Sequence, residues 1–241
     1  MQRRNHSRQG FRGHWPAWIW KSAVAAAVLS IVVLGTTLRA EPRVAAPQVS
    51  PLVPTSDALE TYGSSSAPIT MVVFTDYQCP SCRVLYENTL RPMINDYVAS
   101  GKVYLVHHFF PLPMHKYGYE AARWVDASAR VGEFANAEAA LYDNQDAWGA
   151  SGDIAKYISA AMPASDFRKV ETLMKGCSFS DQPGSCPLDQ SINADQALGE
   201  QIPVRATPTY VIIYKGHRLP AASGAVSWPI LKQFFDSLLS Q

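Results

Sequence analysis

Two cysteines separated by two residues, Cys79-Pro-Ser-Cys82, offer the most reactive chemistry in this chain. The thiolate form of cysteine is the nucleophile, and a neighbouring thiol can close a disulfide behind it. An apolar run over residues 69–74 precedes the pair. Apolar residues at helical spacing, Tyr86, Leu90, Ile94 and Tyr97, follow it. Cys79 is therefore expected where a strand ends and a helix begins. Unpaired amides and the positive end of the helix dipole favour a thiolate at such a place. Cys82 lies about one helical turn further in, placed to close a disulfide with Cys79 and to release a trapped partner. The pattern is that of a reversible thiol–disulfide centre. Zinc is the competing use of paired cysteines, but it needs four ligands, usually from two paired motifs. Cys177 and Cys186, the remaining cysteines, lack that spacing.

Far downstream, Thr207-Pro208 opens a β-branched run through Tyr214. Proline is tolerated as the first residue of a strand because it need not donate to the ladder. Cys-Pro-Ser-Cys after an apolar strand, with Thr207-Pro208 before a later one, resembles the thioredoxin superfamily. The long segment between the motifs resembles its DsbA-like branch. The resemblance runs from about residue 67 to residue 239. It implies that Pro208 is a cis proline facing the Cys79–Cys82 pair and that Thr207 faces the substrate.

Other residues bear on the pair. Asp76, three positions ahead of Cys79, is placed to tune the thiols or to carry a proton; as a plain structural residue it would end the strand or cap the loop. Its negative charge would raise the Cys79 pKa, against the helix dipole. Pro80 removes an amide donor near the thiolate, and Ser81 adds a small neutral hydroxyl, so both bear on redox poise. The best-known DsbA oxidases carry histidine where Ser81 stands. His107, His108 and His115 invite a copper reading with the two thiols, since soft thiolates suit Cu(I). Adjacent strand residues point to opposite faces, which sets His107 against His108 and argues against a shared metal. Cys177 and Cys186 bracket a polar loop with a Pro-Gly turn, the kind of segment that a structural disulfide closes, worth ~2–3 kcal/mol in the chain-entropy model. Their alternative use is as a second exchange site relaying electrons to Cys79–Cys82.

The elements that must hold this centre follow from the rest of the chain. Residues 1–21 carry Arg3, Arg4, Arg8, Arg12 and Lys21 with no acidic residue, and residues 22–38 are uncharged and mostly apolar. Residues 1–40 are thus a signal peptide or an N-terminal membrane anchor, with the rest outside the cytoplasm. The long basic flank and Leu38, where cleavage sites usually have a small residue, favour the anchor. Residues 41–66, with Pro42, Pro47, Pro51 and Pro54, read as an extended tether. Residues 67–241 are expected to form an α/β thioredoxin domain, its core split by a helical insertion at about 111–202. Strands are expected over 68–75, 102–110 and 209–214. A helix kinked at Pro92 runs to about Ser100, and a last helix buries Leu231, Phe234, Phe235, Leu238 and Leu239.

The 241 residues carry 21 Lys and Arg against 20 Asp and Glu, so no charge surplus points to nucleic acid. The resemblance implies thiol–disulfide exchange without a cofactor. The favoured direction donates a disulfide to exported client proteins with free thiols. A membrane redox partner of the DsbB or VKOR-like type would withdraw the electrons. A reductase or isomerase kept reduced by a membrane donor is the alternative, and a thiolate-based copper chaperone a third. Isomerases of this kind often dimerise through an added N-terminal domain. The tether is too short and proline-rich to be one, so a monomer is expected.

Overall fold

The computed structural model describes residue 52, residues 59–177 and residues 184–241. The signal or anchor expected at 1–40 and most of the expected tether lie outside the described residues. Among the described residues, no helix is long and apolar enough to cross a membrane.

Strand β2 (Ile69–Thr75) is the centre of the fold. Its side chains alternate between two apolar layers: Ile69, Met71 and Val73 enter the larger core, while Val72 and Phe74 enter a smaller one on the opposite face. A strand covered on both faces reads as a continuous apolar run, which is how residues 69–74 look in sequence. Strand β3 (Val103–Phe109) pairs with β2 in parallel, Val72 opposite Val106. Strand β4 (Thr209–Tyr214) pairs with the other edge of β2 antiparallel, Val72 opposite Val211. Short strands complete the sheet. β1 (Thr61–Tyr62) lies outside β3, and β5 (His217–Arg218) and β6 (Ala222–Ser223) lie against β4.

The helix after the cysteines is not one regular α-helix. It starts as α1 (Pro80–Leu85), passes through a π-type turn over Tyr86–Leu90, regains α-form in α2 (Arg91–Met93), and ends in a second π-type turn over Ile94–Val98. Pro92 is the physical cause, because it lacks an N–H and its ring would strike the carbonyl four residues back. The wider turns relieve that conflict, with Arg91 N–H reaching back to Tyr86 O. They also rotate the buried face onto Leu90, Met93 and Tyr97, leaving Ile94 half-buried.

Between β3 and β4 lie helices α3 (Gly118–Ala129), α4 (Phe134–Asp143), α5 (Gln145–Ser151), α6 (Ile154–Ala161), α7 (Ala164–Leu173) and α8 (Asp189–Gln201). The chain closes with α9 (Trp228–Leu239), begun by Pro229 in its first turn. It buries Leu231, Phe235 and Leu238, but Phe234, expected inside, stays 38% exposed.

The tether is shorter than the sequence implies. Thr61 and Tyr62, inside the expected 41–66 stretch, pair with Val106 and Leu105 of β3. Tyr62 also donates its hydroxyl to Glu138 at 2.7 Å, and its ring meets Phe134 and His107. Leu52 is buried in the smaller core, and its carbonyl lies 3.1 Å from His108 Nε2. A two-residue strand carries too little periodicity to be seen in sequence; partners more than 40 residues away hold it in place.

Candidate active site

The site gathers at one edge of the sheet for a topological reason. β2 and β3 run in parallel, so their carboxyl ends, Thr75 and Phe109, lie at the same edge. β4 is antiparallel to β2 and starts at that edge, with Thr209 opposite Phe74. The cysteine turn, the loop after Phe109 and the Thr207-Pro208 segment therefore converge. Sites at the carboxyl ends of strands are the general habit of α/β sheets.

Cys79 takes the N-cap position of α1 in an extended conformation, φ −76° and ψ 121°, with Pro80 opening the helix. Its carbonyl accepts from the amides of Cys82 at 3.1 Å and Arg83 at 3.2 Å. Both thiols are free, and both are buried. The Cys79 thiol donates to Thr207 O at 3.3 Å, and Asp76 N–H donates to Cys82 Sγ at 3.5 Å. The Thr207–Pro208 peptide is cis. The Thr207 hydroxyl is buried without a hydrogen bond of ordinary geometry, yet it lies near enough to favour both thiolates.

The two thiols are driven apart. A hydrogen bond from Cys82 lowers the Cys79 pKa from an ordinary 9.0 to about 5. Burial opposes that shift, while the Thr207 hydroxyl and the amides of Cys82 and Ser81 reinforce it. For Cys82 the shift is upward: burial dominates, and the hydrogen bond to Cys79 and the charge on Cys79 add to it. The sequence left open whether Asp76 or the helix start would govern Cys79. The hydrogen bond from Cys82 and the amides at the helix start prevail over burial, and the Asp76 carboxylate is engaged elsewhere.

That carboxylate is fully buried. Oδ1 accepts from Gln78 N–H at 2.8 Å, and Oδ2 accepts from Leu112 N–H at 2.7 Å and His115 Nδ1 at 2.6 Å. Asp76 thereby ties the cysteine turn to the loop after β3. Helix α3 begins so close that a Cβ on Gly118 would stand 2.8 Å from Asp76 Oδ1, which requires glycine there.

The three histidines weighed as metal ligands are dispersed, each beside a different carboxylate. His107 Nδ1 lies 3.1 Å from Glu138, His108 Nδ1 lies 2.6 Å from Asp195, and His115 takes Asp76. Strand alternation separates the first two, as the sequence implies. Among the described residues there is no group of three or more His, Cys, Asp or Glu side chains arranged to hold a metal.

Cys177 and Cys186 are joined in a disulfide with Cα atoms 5.0 Å apart. Asp189, at the start of α8, accepts from the amides of Gly184 at 2.7 Å and Cys186 at 3.1 Å. It also takes a two-pronged ion pair from buried Arg123, at 2.7 and 2.9 Å. The bridge is thus fastened to α3 by a buried ion pair.

Gln145 was not legible as a site residue. Its side-chain amide, on α5, donates to Tyr77 O at 2.7 Å and to Cys79 O at 3.0 Å, clamping the turn. Nothing in sequence links it to a cysteine 66 residues earlier. Arg83, just after the pair, meets Asp146 of the same helix at 2.8 Å.

Comparison with known proteins agrees with this geometry. A family model described as thioredoxin matches residues 56–227. The chain therefore belongs to the thioredoxin family. Its fold is shared with Wolbachia pipientis alpha-DsbA1, at TM-score 0.62 and 19% identity over 78% of this chain and 94% of that one. Bacillus subtilis BdbD in its oxidised form matches at TM-score 0.54 and 18% identity, over 76% and 93% of the two chains. Pseudomonas aeruginosa DsbA2 matches at 0.51 and 23%, over 77% and 96%. In sequence, the chain is 25% identical over 178 residues to a Salinispora tropica protein named Na(+)/H(+) antiporter NhaA 3. It covers 73% of this chain and a quarter of that relative's length.

Proposed function

We propose that this protein is an exported oxidase of thiols, donating the Cys79–Cys82 disulfide to newly exported client proteins. The observation that carries this reading is the opposition between the two thiols, Cys79 lowered to about 5 and Cys82 raised. A thiolate stabilised at Cys79 favours the reduced form of the pair, and a pair whose reduced form is favoured is the more oxidising one. A client thiolate attacks Cys79 Sγ and the Cys79–Cys82 bond breaks, with its electron pair passing to Cys82. The client's second thiol then attacks the mixed disulfide and leaves oxidised, releasing Cys79 as a thiolate. A membrane oxidase of the DsbB or VKOR-like type takes the two electrons and restores the disulfide.

In this reading Cys79, Cys82 and Pro208 are the catalytic set. Thr207 offers its backbone to an extended client segment beside Pro208. Asp76 positions the turn, Pro80 and Ser81 tune the thiolate, and Cys177–Cys186 is structural. The protein works as a monomer, without nucleic acid or cofactor, outside the cytoplasm, with residues 22–38 as its anchor.

The test is the reduction potential of Cys79–Cys82, from equilibration with glutathione mixtures. A value toward about −120 mV supports the oxidase; a value near about −270 mV would assign a reductase instead.

A further inference from the structure

Two neighbouring histidines of β3 hold the chain that leads into the domain. His107 N–H donates to Glu60 O at 2.9 Å, and its ring meets that of Tyr62. His108, on the opposite face, is 7% exposed and stacks on Phe74 with ring centroids 5.0 Å apart. Its Nδ1 lies 2.6 Å from Asp195 Oδ1 on α8, and its Nε2 lies 3.1 Å from Leu52 O. The second Asp195 oxygen accepts from Phe109 N–H at 2.8 Å. Leu52 buries its side chain in the smaller core with Val72, Phe74 and Val106. The charged groups that bear on His108 are Asp195 of α8 and Glu60 of the chain ahead of β1.

Both ring nitrogens therefore face oxygen acceptors, a carboxylate and a carbonyl, and neither can donate in return. Only an imidazolium, with a proton on each nitrogen, satisfies both. We propose that protonated His108 is a latch that docks the chain at Leu52 onto the sheet, and that the latch opens when His108 loses its proton. A neutral ring keeps one proton, and the charge-assisted bond to Asp195 is the stronger, so that proton stays on Nδ1. The Nε2 lone pair then faces Leu52 O, and the carbonyl is left without its donor. Burial lowers the His108 pKa, but the bond to Asp195, its charge, the Leu52 carbonyl and the charge of Glu60 outweigh burial and hold it above the ordinary 6.5. The latch is thus closed below pH 6.5 and opens as pH rises through the raised value. Opening would add the stretch from Leu52 to Thr61 to the tether, about 30 Å at ~3.3 Å per residue. That consequence rests on the reading of residues 22–38 as an anchor, whereas the latch itself does not.

In the full-length protein, ring-nitrogen NMR is expected to show His108 doubly protonated at pH 6 and losing its Nε2 proton above pH 6.5. Thermolysin cleavage ahead of Leu59, which is 47% exposed, should quicken about tenfold over the same titration, the factor that one such bond carries. Asp195→Asn is the decisive variant. Phe109 N–H keeps the amide oxygen, so the introduced NH2 faces the ring. A neutral imidazole then accepts at Nδ1 and donates from Nε2 to Leu52 O. Cleavage of this variant should stay slow at every pH, and the ratio of wild type to variant cancels the protease's own pH dependence. Glu60→Gln should keep the opening, at a lower pH. A His108 ring that is neutral at pH 6, a ratio that is flat from pH 6 to 9, or loss of the opening in Glu60→Gln would overturn the proposal. Recovery of the full-length chain free of membranes would sink the anchor reading instead, and the latch measurements would still decide on His108.

Discussion

Titrating the reduced protein is expected to show Cys79 ionising near pH 5, with a matching break in the reduction potential. The folded-state pKa is depressed from 9.0 to about 5, so the reduced form gains stability above the depressed value and loses it as pH falls through 5. At pH 7 an ordinary thiol would be protonated while Cys79 is a thiolate. Two pH units at 1.36 kcal/mol each give ~2.7 kcal/mol in favour of the reduced form. With 30 mV equal to ~1.4 kcal/mol in a two-electron couple, that makes the pair ~60 mV more oxidising than one with ordinary thiols. Cys82 stays protonated in this range, so reduction takes up one proton above pH 5 and two below. The potential should therefore fall by ~30 mV per pH unit between pH 5 and 8, and by ~60 mV per unit below pH 5. Thiolate absorbance and glutathione equilibria across pH 4–8 measure both quantities. Cys82→Ala removes the largest cause of the shift and leaves burial in place, so its Cys79 should titrate higher and alkylate more slowly at pH 6. A slope of ~60 mV per unit throughout, or a Cys82→Ala protein that still ionises near 5, would refute the argument.

Three further outcomes follow from the geometry. Cys79→Ser should abolish exchange, whereas Cys82→Ser should accumulate client-linked mixed disulfides, visible on non-reducing gels; the opposite pattern would reverse the assignment of nucleophile. Gln145→Ala removes the side-chain donor from the Tyr77 carbonyl, a buried group worth ~1–3 kcal/mol when unpaired, while the Cys79 carbonyl keeps the amides of Cys82 and Arg83; it should lower thermal stability and broaden the Cys79 titration. Asp189→Ala leaves Arg123, whose side chain is 2% exposed, without its main carboxylate. Breaking a buried pair costs ~3–5 kcal/mol, which calorimetry should register as a loss of ~6–20 °C in Tm with the Cys79 titration unchanged.

The sequence by itself determined the chemistry and the outline of the fold. The spacing of Cys79 and Cys82 is a local property, because one helical turn places the second thiol behind the first. The apolar runs of β2, β3 and β4 were visible because strands covered on both faces lose their polar alternation. Thr207-Pro208 was readable through its motif. The helical insertion showed in its 3.6-residue periodicity, while the π-type turns around Pro92 did not, since they arise from a clash between a ring and a carbonyl one turn away.

Only the tertiary structure decided what surrounds the sulfurs. His115 as the partner of Asp76 and Gln145 as the clamp come from positions 39 and 66 residues away in sequence. Each histidine could be read as a ligand until its carboxylate was located. The balance at Cys79 was equally out of reach, because burial raises a thiol and hydrogen bonds lower it. Burial and hydrogen bonding depend on distances between elements, and the parallel pairing of β2 with β3 and the antiparallel pairing with β4 are what set those distances at one edge of the sheet.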